Sequence, residues 1–374
     1  MKKVLVIFVL MFTVVLFGAE ESKDLSLDKT LESLSGGVLQ AYMAPATDGF
    51  GTNLNSGWFH GSPKDKKFGI NIEIGAVVMG TMLGSSEQTF SKNATFQLTE
   101  DQITQLANSN SATVGSDTLI NLPTVKQAFI DKLKKENIEL SVSGPTITGS
   151  QNDKIIIATK NKSIDVVVSG ITKTIEIEEY KDTIEIGGLL DGVDVIPTVA
   201  PQLTLGTVFG TQFTFRYVPT IEITDVGDFN YFGFGIQHNP KMFLNMLKVV
   251  PIDFAISYYT QSMTLGDNVD VAARAFGVNF SKRLGWRFLN ITPYGGFMFE
   301  SSEMNFSYDF VTDDKGTPND KSDDDTKKIS VDFEGENSFR FTLGMAIRLG
   351  IISVGADYNI AKIPSFAANI GVAF

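Results

Sequence analysis

The sequence contains no cysteine and only two histidines, His60 and His238, among its 374 residues. We therefore expect no disulfide bond and no lipid-modified cysteine. Two isolated histidines offer no pairing with a nucleophile or a second base, so the sequence predicts no catalytic residue and no enzyme. The ligand spacings of zinc and nucleotide sites are also missing, and the sequence predicts no metal and no cofactor.

Long apolar runs are missing after the N-terminus. The run at residues 4–17 follows Lys2 and Lys3 directly and is shorter than the roughly 18 residues that a membrane helix needs. A basic start followed by such a run is typical of a secretory signal, and we expect a cleaved signal peptide at residues 1–19. Any later membrane crossing must then use strands, which cross lipid only as a closed barrel.

Basic residues are outnumbered by acidic ones, and the formal net charge is −12. Such acidity argues against a nucleic-acid partner. Aspartates are dense in residues 309–328, but the regular spacing of a calcium-binding loop is absent there. We therefore predict a solvated surface loop for this segment.

Alternation of apolar with small or polar residues is the main positive signal. In the last segment the apolar face consists of Phe366, Ala368, Ile370, Val372 and Phe374. The same pattern of period two recurs upstream, and we expect about ten strands, with twelve to fourteen as alternatives. The other nine predicted strands are residues 69–79, 199–207, 211–221, 228–239, 252–263, 270–281, 290–308, 338–349 and 352–360. The sequence thus predicts an all-β protein, a transmembrane antiparallel β-barrel of a bacterial outer membrane; a soluble β-sandwich is the alternative.

The predicted strand 290–308 is the least regular, because Phe297 has one phase while Met304 and Phe306 have the other. Either a β-bulge near residues 301–302 shifts the phase, or the strand projects above the lipid. A periplasmic C-terminus places the long segments outside the cell and the short turns in the periplasm, as expected for such barrels.

An N-terminal segment, residues 20–67, precedes the first predicted strand at 68–79. Apolar residues recur at helical spacing in residues 26–38 and meet glycines at positions 36 and 37. We expect a short helix that ends at these glycines and begins a plug-like segment.

An insertion at residues 80–198 separates the first strand from the remaining ones at 199–374. Capping-box patterns at Thr99 and Thr124 predict two helices in it, and short β segments follow. The pattern leaves open whether this insertion is extracellular or folds back into the lumen.

The inward phase of the predicted strands carries three acidic and three basic residues. These lumen-facing candidates are Glu73, Arg216, Asp253, Arg340, Arg348 and Asp357. Either the six groups pair across a filled interior or they line a pore. Their balanced charge argues against strong selectivity for anions or cations.

Several motifs are spread along the mature chain, among them Gly57-Trp58, Arg216-Tyr217-Val218-Pro219 and Gly233-Phe234-Gly235-Ile236-Gln237-His238. Together they resemble a family of bacterial outer-membrane barrel proteins of unknown function. The N-terminal segment ahead of a barrel is also distantly similar to channels of the long-chain fatty-acid transporter type. That group's Asn-Pro-Ala element is absent, since Lys241 follows Asn239-Pro240. The resemblance implies a location and a fold but no substrate.

The final outward row resembles the signal that the barrel assembly machinery reads. We predict Phe366, Ile370, Val372 and Phe374 as this assembly signal, with that machinery and outer-membrane lipid as partners. Two functions fit the pattern: a narrow plugged channel or transporter for small or hydrophobic molecules, or an anchor that displays the insertion for adhesion or partner binding.

Overall fold

The computed structural model describes residues 25–64, 68–96, 98, 100–108, 112–114, 117–118, 122–224, 227–286, 288–313 and 325–374. The predicted signal peptide lies outside these residues. The described residues divide into two compact units. The barrel unit comprises Ala44–Ser85 and Gly192–Phe374, and the insertion unit comprises the residues up to Met43 with Ser86–Asp191. None of the described helices is long and apolar enough to cross a membrane.

Strands dominate the described chain. The helices are α1 (Leu25–Asn55), α2 (Glu100–Asn108) and α3 (Pro123–Leu133), with short 3-10 helices at Ser85–Glu87, Pro240–Met242 and Asn245–Val249. The strands are β1 (Phe68–Met82), β2 (Thr89–Phe96), β3 (Ala112–Val114), β4 (Asp117–Thr118), β5 (Ile138–Pro145), β6 (Ile155–Thr159), β7 (Lys162–Val168), β8 (Ile171–Ile177), β9 (Lys181–Ile184), β10 (Val195–Val208), β11 (Thr211–Ile223), β12 (Gly227–His238), β13 (Asp253–Leu265), β14 (Val269–Ser281), β15 (Leu284–Gly285), β16 (Leu289–Asp313), β17 (Asp325–Glu334), β18 (Phe339–Leu349), β19 (Ile352–Ile360) and β20 (Ser365–Ala373).

Ten strands of the barrel unit close into an antiparallel barrel. Around the wall the order is β1, β10, β11, β12, β13, β14, β16, β18, β19 and β20, and β20 pairs with β1. The pairing of β14 with β16 completes the ring without a free edge. A closed ring satisfies the backbone groups that lipid cannot bind. The predicted ten-stranded antiparallel barrel is confirmed.

Because apolar and polar residues alternate along each strand, the inner and outer faces of the barrel differ in composition. On β20, Ser365 and Asn369 are buried inside, whereas Ile370 is 60% exposed and Phe374, just beyond the strand, 67% exposed. The predicted assembly residues all lie on this outward row, with Phe366 exposed and Val372 half-buried. Apolar residues outside and polar residues inside are the arrangement of a barrel that contacts lipid.

The strand β16 keeps a single phase over residues 294–306, where it pairs with β14. Its register against β14 runs without a shift, so the bulge considered at residues 301–302 is wrong. Met304 and Phe306 are buried inward, while Ser301 and Glu303 are exposed outward. The outward face simply turns polar there, as expected for a strand that projects beyond the apolar band.

The two barrel ends are named by their connections. The turn end carries Phe374 and the tight turn between β18 and β19. At the opposite end, the long-connection end, β1 stops at Met82 and β10 starts at Val195. Both strands extend beyond the predicted limits, so the segment between them is shorter than residues 80–198.

Two connections differ from the predictions. Residues 309–328 are not simply a loop, because the β16–β17 hairpin continues into them and pairs Asp309 with Lys328. At the turn end, residues 239–252 join β12 to β13 through two 3-10 helices. This connection is longer than the short turns that the sequence predicts at this end.

The insertion unit has two four-stranded sheets, in the orders β2-β5-β6-β9 and β4-β3-β8-β7. Phe129 and Leu133 of α3 share one hydrophobic core with Ile164 of β7 and Ile175 of β8. This core joins the helix α3 to the second of the two sheets.

The predicted capping box at Thr124 is not formed. The helix α3 begins at Pro123, and its N-cap is Leu122, which makes no side-chain capping hydrogen bond. Proline at the first helical position presets the backbone angle and has no N–H that needs a partner. The other predicted box begins at Thr99, which lies outside the described residues.

Candidate functional site

Residues 48–63, here called the plug, pass through the barrel lumen. The helix α1 does not end at glycines 36 and 37, as the sequence predicts, but continues to Asn55 and includes Pro45. Each interior glycine weakens a helix by about 1 kcal/mol, which tertiary packing can outweigh. Val38 and Leu39, directly after the glycines, are buried.

The plug begins at the long-connection end with a buried aspartate. Asp48 Oδ1 accepts hydrogen bonds from the backbone N–H groups of Glu336, at 2.6 Å, and Asn337, at 3.2 Å. Its other oxygen lies 2.8 Å from Lys362 Nζ. Two connections between wall strands thus hold the first residue of the plug.

Two wall arginines bind the C-terminal end of α1. Arg340 Nη1 donates to the main-chain oxygen of Asn55, and Arg216 Nη1 donates to that of Ser56 at 2.9 Å. The last carbonyls of a helix have no partner within the helix, and the negative end of its dipole favours cations. The plug therefore supplies one main-chain acceptor to each of these two buried guanidinium groups.

Glu300 neutralises one of these arginines. Its Oε1 lies 3.1 Å from Arg340 Nε, with both side chains 1% exposed, and its Oε2 accepts from Asn337 Nδ2 at 2.6 Å. The sequence analysis missed Glu300 as a lumen residue. The continuous phase of β16, which places Met298 and Glu300 on one face, is the signal that identifies it.

Gly57 turns the chain just after the helix. Its φ of +66° lies in the left-handed region, where glycine is strongly favoured. A Cβ at this position would lie 2.7 Å from Val77 Cγ2 and 2.8 Å from Ala367 Cβ. Both the backbone angle and the close approach to the wall therefore require glycine.

Trp58 fills the lumen beside two wall glycines. Its ring stacks on Tyr259 with 5.1 Å between centroids, and the Arg216 guanidinium lies 4.0 Å from its ring centre. A Cβ on Gly233 would lie 2.7 Å from Trp58 Cη2, and one on Gly235 would lie 3.0 Å from Cε3. Glycines on the inward phase of β12 are the signal for this contact, which the sequence analysis missed.

The plug ends near the turn end. His60 Nε2 lies 3.1 Å from Glu73 Oε2, and Asn239 Nδ2 donates to the main-chain oxygen of Pro63 at 2.8 Å. Burial by itself lowers the pKa of His60, but the Glu73 carboxylate and its hydrogen bond outweigh burial and raise the pKa. Protonated His60 is therefore favoured in the plugged barrel.

A polar cavity of about 90 Å³ lies beside His60 at the turn end. Glu73, Asp253 and Arg348, three of the predicted lumen residues, line it. Arg348 donates hydrogen bonds to the main-chain oxygens of Gly350, at 3.0 Å, and Ala373, at 2.9 Å. At this end of the barrel, Glu73 thus contacts the plug, and Arg348 binds the last strand of the wall, β20.

Five of the six predicted lumen residues fall into two groups, and Asp357 stands apart. Arg216 and Arg340 hold the plug directly, while Glu73, Asp253 and Arg348 surround the cavity. Asp357 lies in the wall and accepts from the Tyr294 hydroxyl at 3.1 Å. These bonds favour a filled interior over a charge-lined pore, but they join the charged groups to the plug, to main-chain oxygens and to other side chains, so pairing among the six residues stays a prediction.

Solved structures with weak similarity to the chain include the following three. A bacterial polysaccharide outer membrane secretin has 6% identity and a TM-score of 0.23, with 81% of this chain and 98% of that chain covered. OmpT, an outer membrane protein of Vibrio cholerae folded in vitro as a trimer, has 8% identity and a TM-score of 0.21, with 82% and 100% covered. OprB of Pseudomonas putida at low pH has 7% identity and a TM-score of 0.15, with 82% and 92% covered. No curated protein matches the chain.

The match to a protein family covers the whole sequence. A family model described as a family of unknown function matches residues 1–374. The chain therefore belongs to this family, DUF6588.

Proposed function

We propose that the protein is a bacterial outer-membrane channel that its own plug holds shut, and that it passes small hydrophilic solutes once the plug withdraws. The observation that carries this proposal is the polar wall behind the plug. Its buried inward residues include Gln202, Thr204, Thr214, Gln237, Gln261, Asn279, Asn359 and Asn369. A polar interior is typical of barrels that conduct water-soluble molecules, so the wall favours hydrophilic over hydrophobic solutes.

The width of the plug sets the width of the passage. An α-helix with its side chains is about 10–12 Å wide, but the plug helix is slimmer because glycines face the wall. A Cβ on Gly51 would lie 2.3 Å from Ser302 Cβ. The emptied lumen therefore suits small solutes and is narrower than a general porin of about sixteen strands.

The test replaces residues 48–63 with a glycine–serine linker of equal length. We expect the unaltered protein to show almost no conductance in planar bilayers and the linker variant to show steady, weakly ion-selective channels. Retained heat-modifiable migration in gels is the control that the variant barrel has folded. A folded variant that stays electrically silent contradicts the proposal.

The alternative function is an anchor that displays the insertion. Its support is the separate hydrophobic core of the insertion unit, which contains Phe129 and Leu133. Two results together favour this function over the channel. The linker variant stays electrically silent, and cells whose protein lacks residues 86–191 lose adhesion or binding to a partner.

A further inference from the structure

Two connections at the turn end expose large apolar side chains. In residues 239–252, Phe243 is 66%, Met246 77% and Val249 84% exposed. In residues 282–288, Trp286 and Phe288 are each 68% exposed. Exposed apolar area on this scale is unfavourable in water and marks a surface that contacts another apolar phase.

The connection 239–252 is ordered by its own hydrogen bonds. The Asn239 side chain accepts from the backbone N–H of Lys241 at 3.0 Å, and Lys241 Nζ donates to the main-chain oxygens of Val250 and Ile252. Phe243 stacks on His238 at 5.6 Å between ring centroids. These contacts fix a backbone from which the apolar side chains project.

The same two connections are basic in an acidic chain. The net charge of the protein is −12, yet residues 239–252 and 282–288 contain no acidic residue. Their basic residues are Lys241, Lys248, Lys282, Arg283 and Arg287. Of these, Lys282 and Arg283 are exposed, although Arg283 also lines the polar cavity, and Lys241 is buried.

We propose that these two connections form a docking surface for anionic phospholipid headgroups at the membrane boundary. The surface continues the outward apolar band, whose turn-end members Phe209 and Ile351 are 43% and 54% exposed. Aromatic rings beside basic side chains are the combination that lies at an interface of acyl chains and anionic headgroups. The turn end therefore faces the phospholipid leaflet, which is the periplasmic one, and this assignment does not depend on channel activity.

The test uses tryptophan fluorescence of the full chain reconstituted in vesicles. The protein has two tryptophans, so Trp286→Phe leaves only the buried Trp58 as a baseline. Adding Phe243→Trp to that variant places a reporter on the surface. We expect phosphatidylcholine brominated near the top of its acyl chains to quench this reporter at least about twofold, with little effect on Trp58. Quenching by aqueous iodide instead overturns the proposal and favours a soluble partner.

The headgroup preference is tested by comparing brominated phosphatidylglycerol with brominated phosphatidylcholine at equal mole fractions. We expect a relative affinity of about fivefold per basic residue in favour of the anionic lipid. Lys282→Gln with Arg283→Gln should lower this ratio, whereas the matched pair Lys173→Gln with Lys181→Gln, on the insertion, should not. A ratio of one in the unaltered chain overturns the proposal.

Discussion

The Arg216 guanidinium donates a hydrogen bond to the main-chain oxygen of Ser56, at 2.9 Å, where the helix α1 has just ended. Arg216 is fully buried, and a buried charge is stable only when its hydrogen-bond donors are bound. Gln202 Oε1 accepts a second bond at 2.9 Å. The wall and the plug therefore stabilise each other: the arginine binds the carbonyl at the helix end, and this carbonyl and Gln202 bind two nitrogens of the guanidinium group.

Replacing Arg216 with methionine should loosen the plug. The change leaves the Ser56 oxygen without its donor and removes the stacking on Trp58, which together weaken docking by about 2–4 kcal/mol. We expect frequent channel openings in planar bilayers where the unaltered protein is silent. Arg274→Met, at an exposed wall position, is the control. Equal silence in both variants contradicts the role of Arg216.

Gly57→Ala should also loosen the plug, both by backbone strain and by contact with the wall. Gly350→Ala is the comparison that separates these two effects. Both glycines have positive φ, +66° and +61°, so alanine strains either backbone by about 1–2 kcal/mol. A Cβ at Gly57 meets the wall at 2.7 Å, whereas one at Gly350 meets nothing within 4 Å. We expect the unfolding temperature in heat-modifiability gels to fall clearly more for Gly57→Ala. Equal shifts indicate that close packing of the plug contributes nothing.

Plug docking should weaken as the pH rises. His60 has its pKa raised in the plugged state above its ordinary value of 6.5, because Glu73 outweighs burial and the Arg216 charge, with a smaller contribution from Asp357. The resulting stabilisation is complete below pH 6.5 and is lost as the pH passes through the raised pKa. We expect opening frequency to increase as the pH rises above 6.5 and passes through the raised pKa, and His60→Gln to flatten that dependence. A pH-independent wild type contradicts this pairing.

The barrel wall is predictable from sequence because strand alternation is a local property. Residues 352–360 show it in every position, and the structure places β19 at the same bounds. The path of the plug is not local: it depends on glycines of β12 that admit Trp58, and on arginines more than 150 residues away that bind the end of α1. Helix rules applied to glycines 36 and 37 failed because packing over later residues outweighs a weak propensity.

In the proposed channel, residues 48–63 close the lumen, and a reversible cross-link tests this closure most directly. Ser56 Oγ and Ser365 Oγ lie 2.7 Å apart, and the chain has no cysteine of its own. Ser56→Cys with Ser365→Cys therefore introduces a single plug-to-wall disulfide, here placed in the Arg216→Met background. Each cysteine alone is the control.

The measurement is the single-channel conductance of this variant before and after reduction with dithiothreitol. We predict a silent oxidised protein that begins to conduct on reduction, while both single-cysteine controls conduct throughout. If the oxidised protein has formed the disulfide and still conducts as well as the reduced protein, ions bypass the plug. That result would contradict the closure of the lumen by residues 48–63.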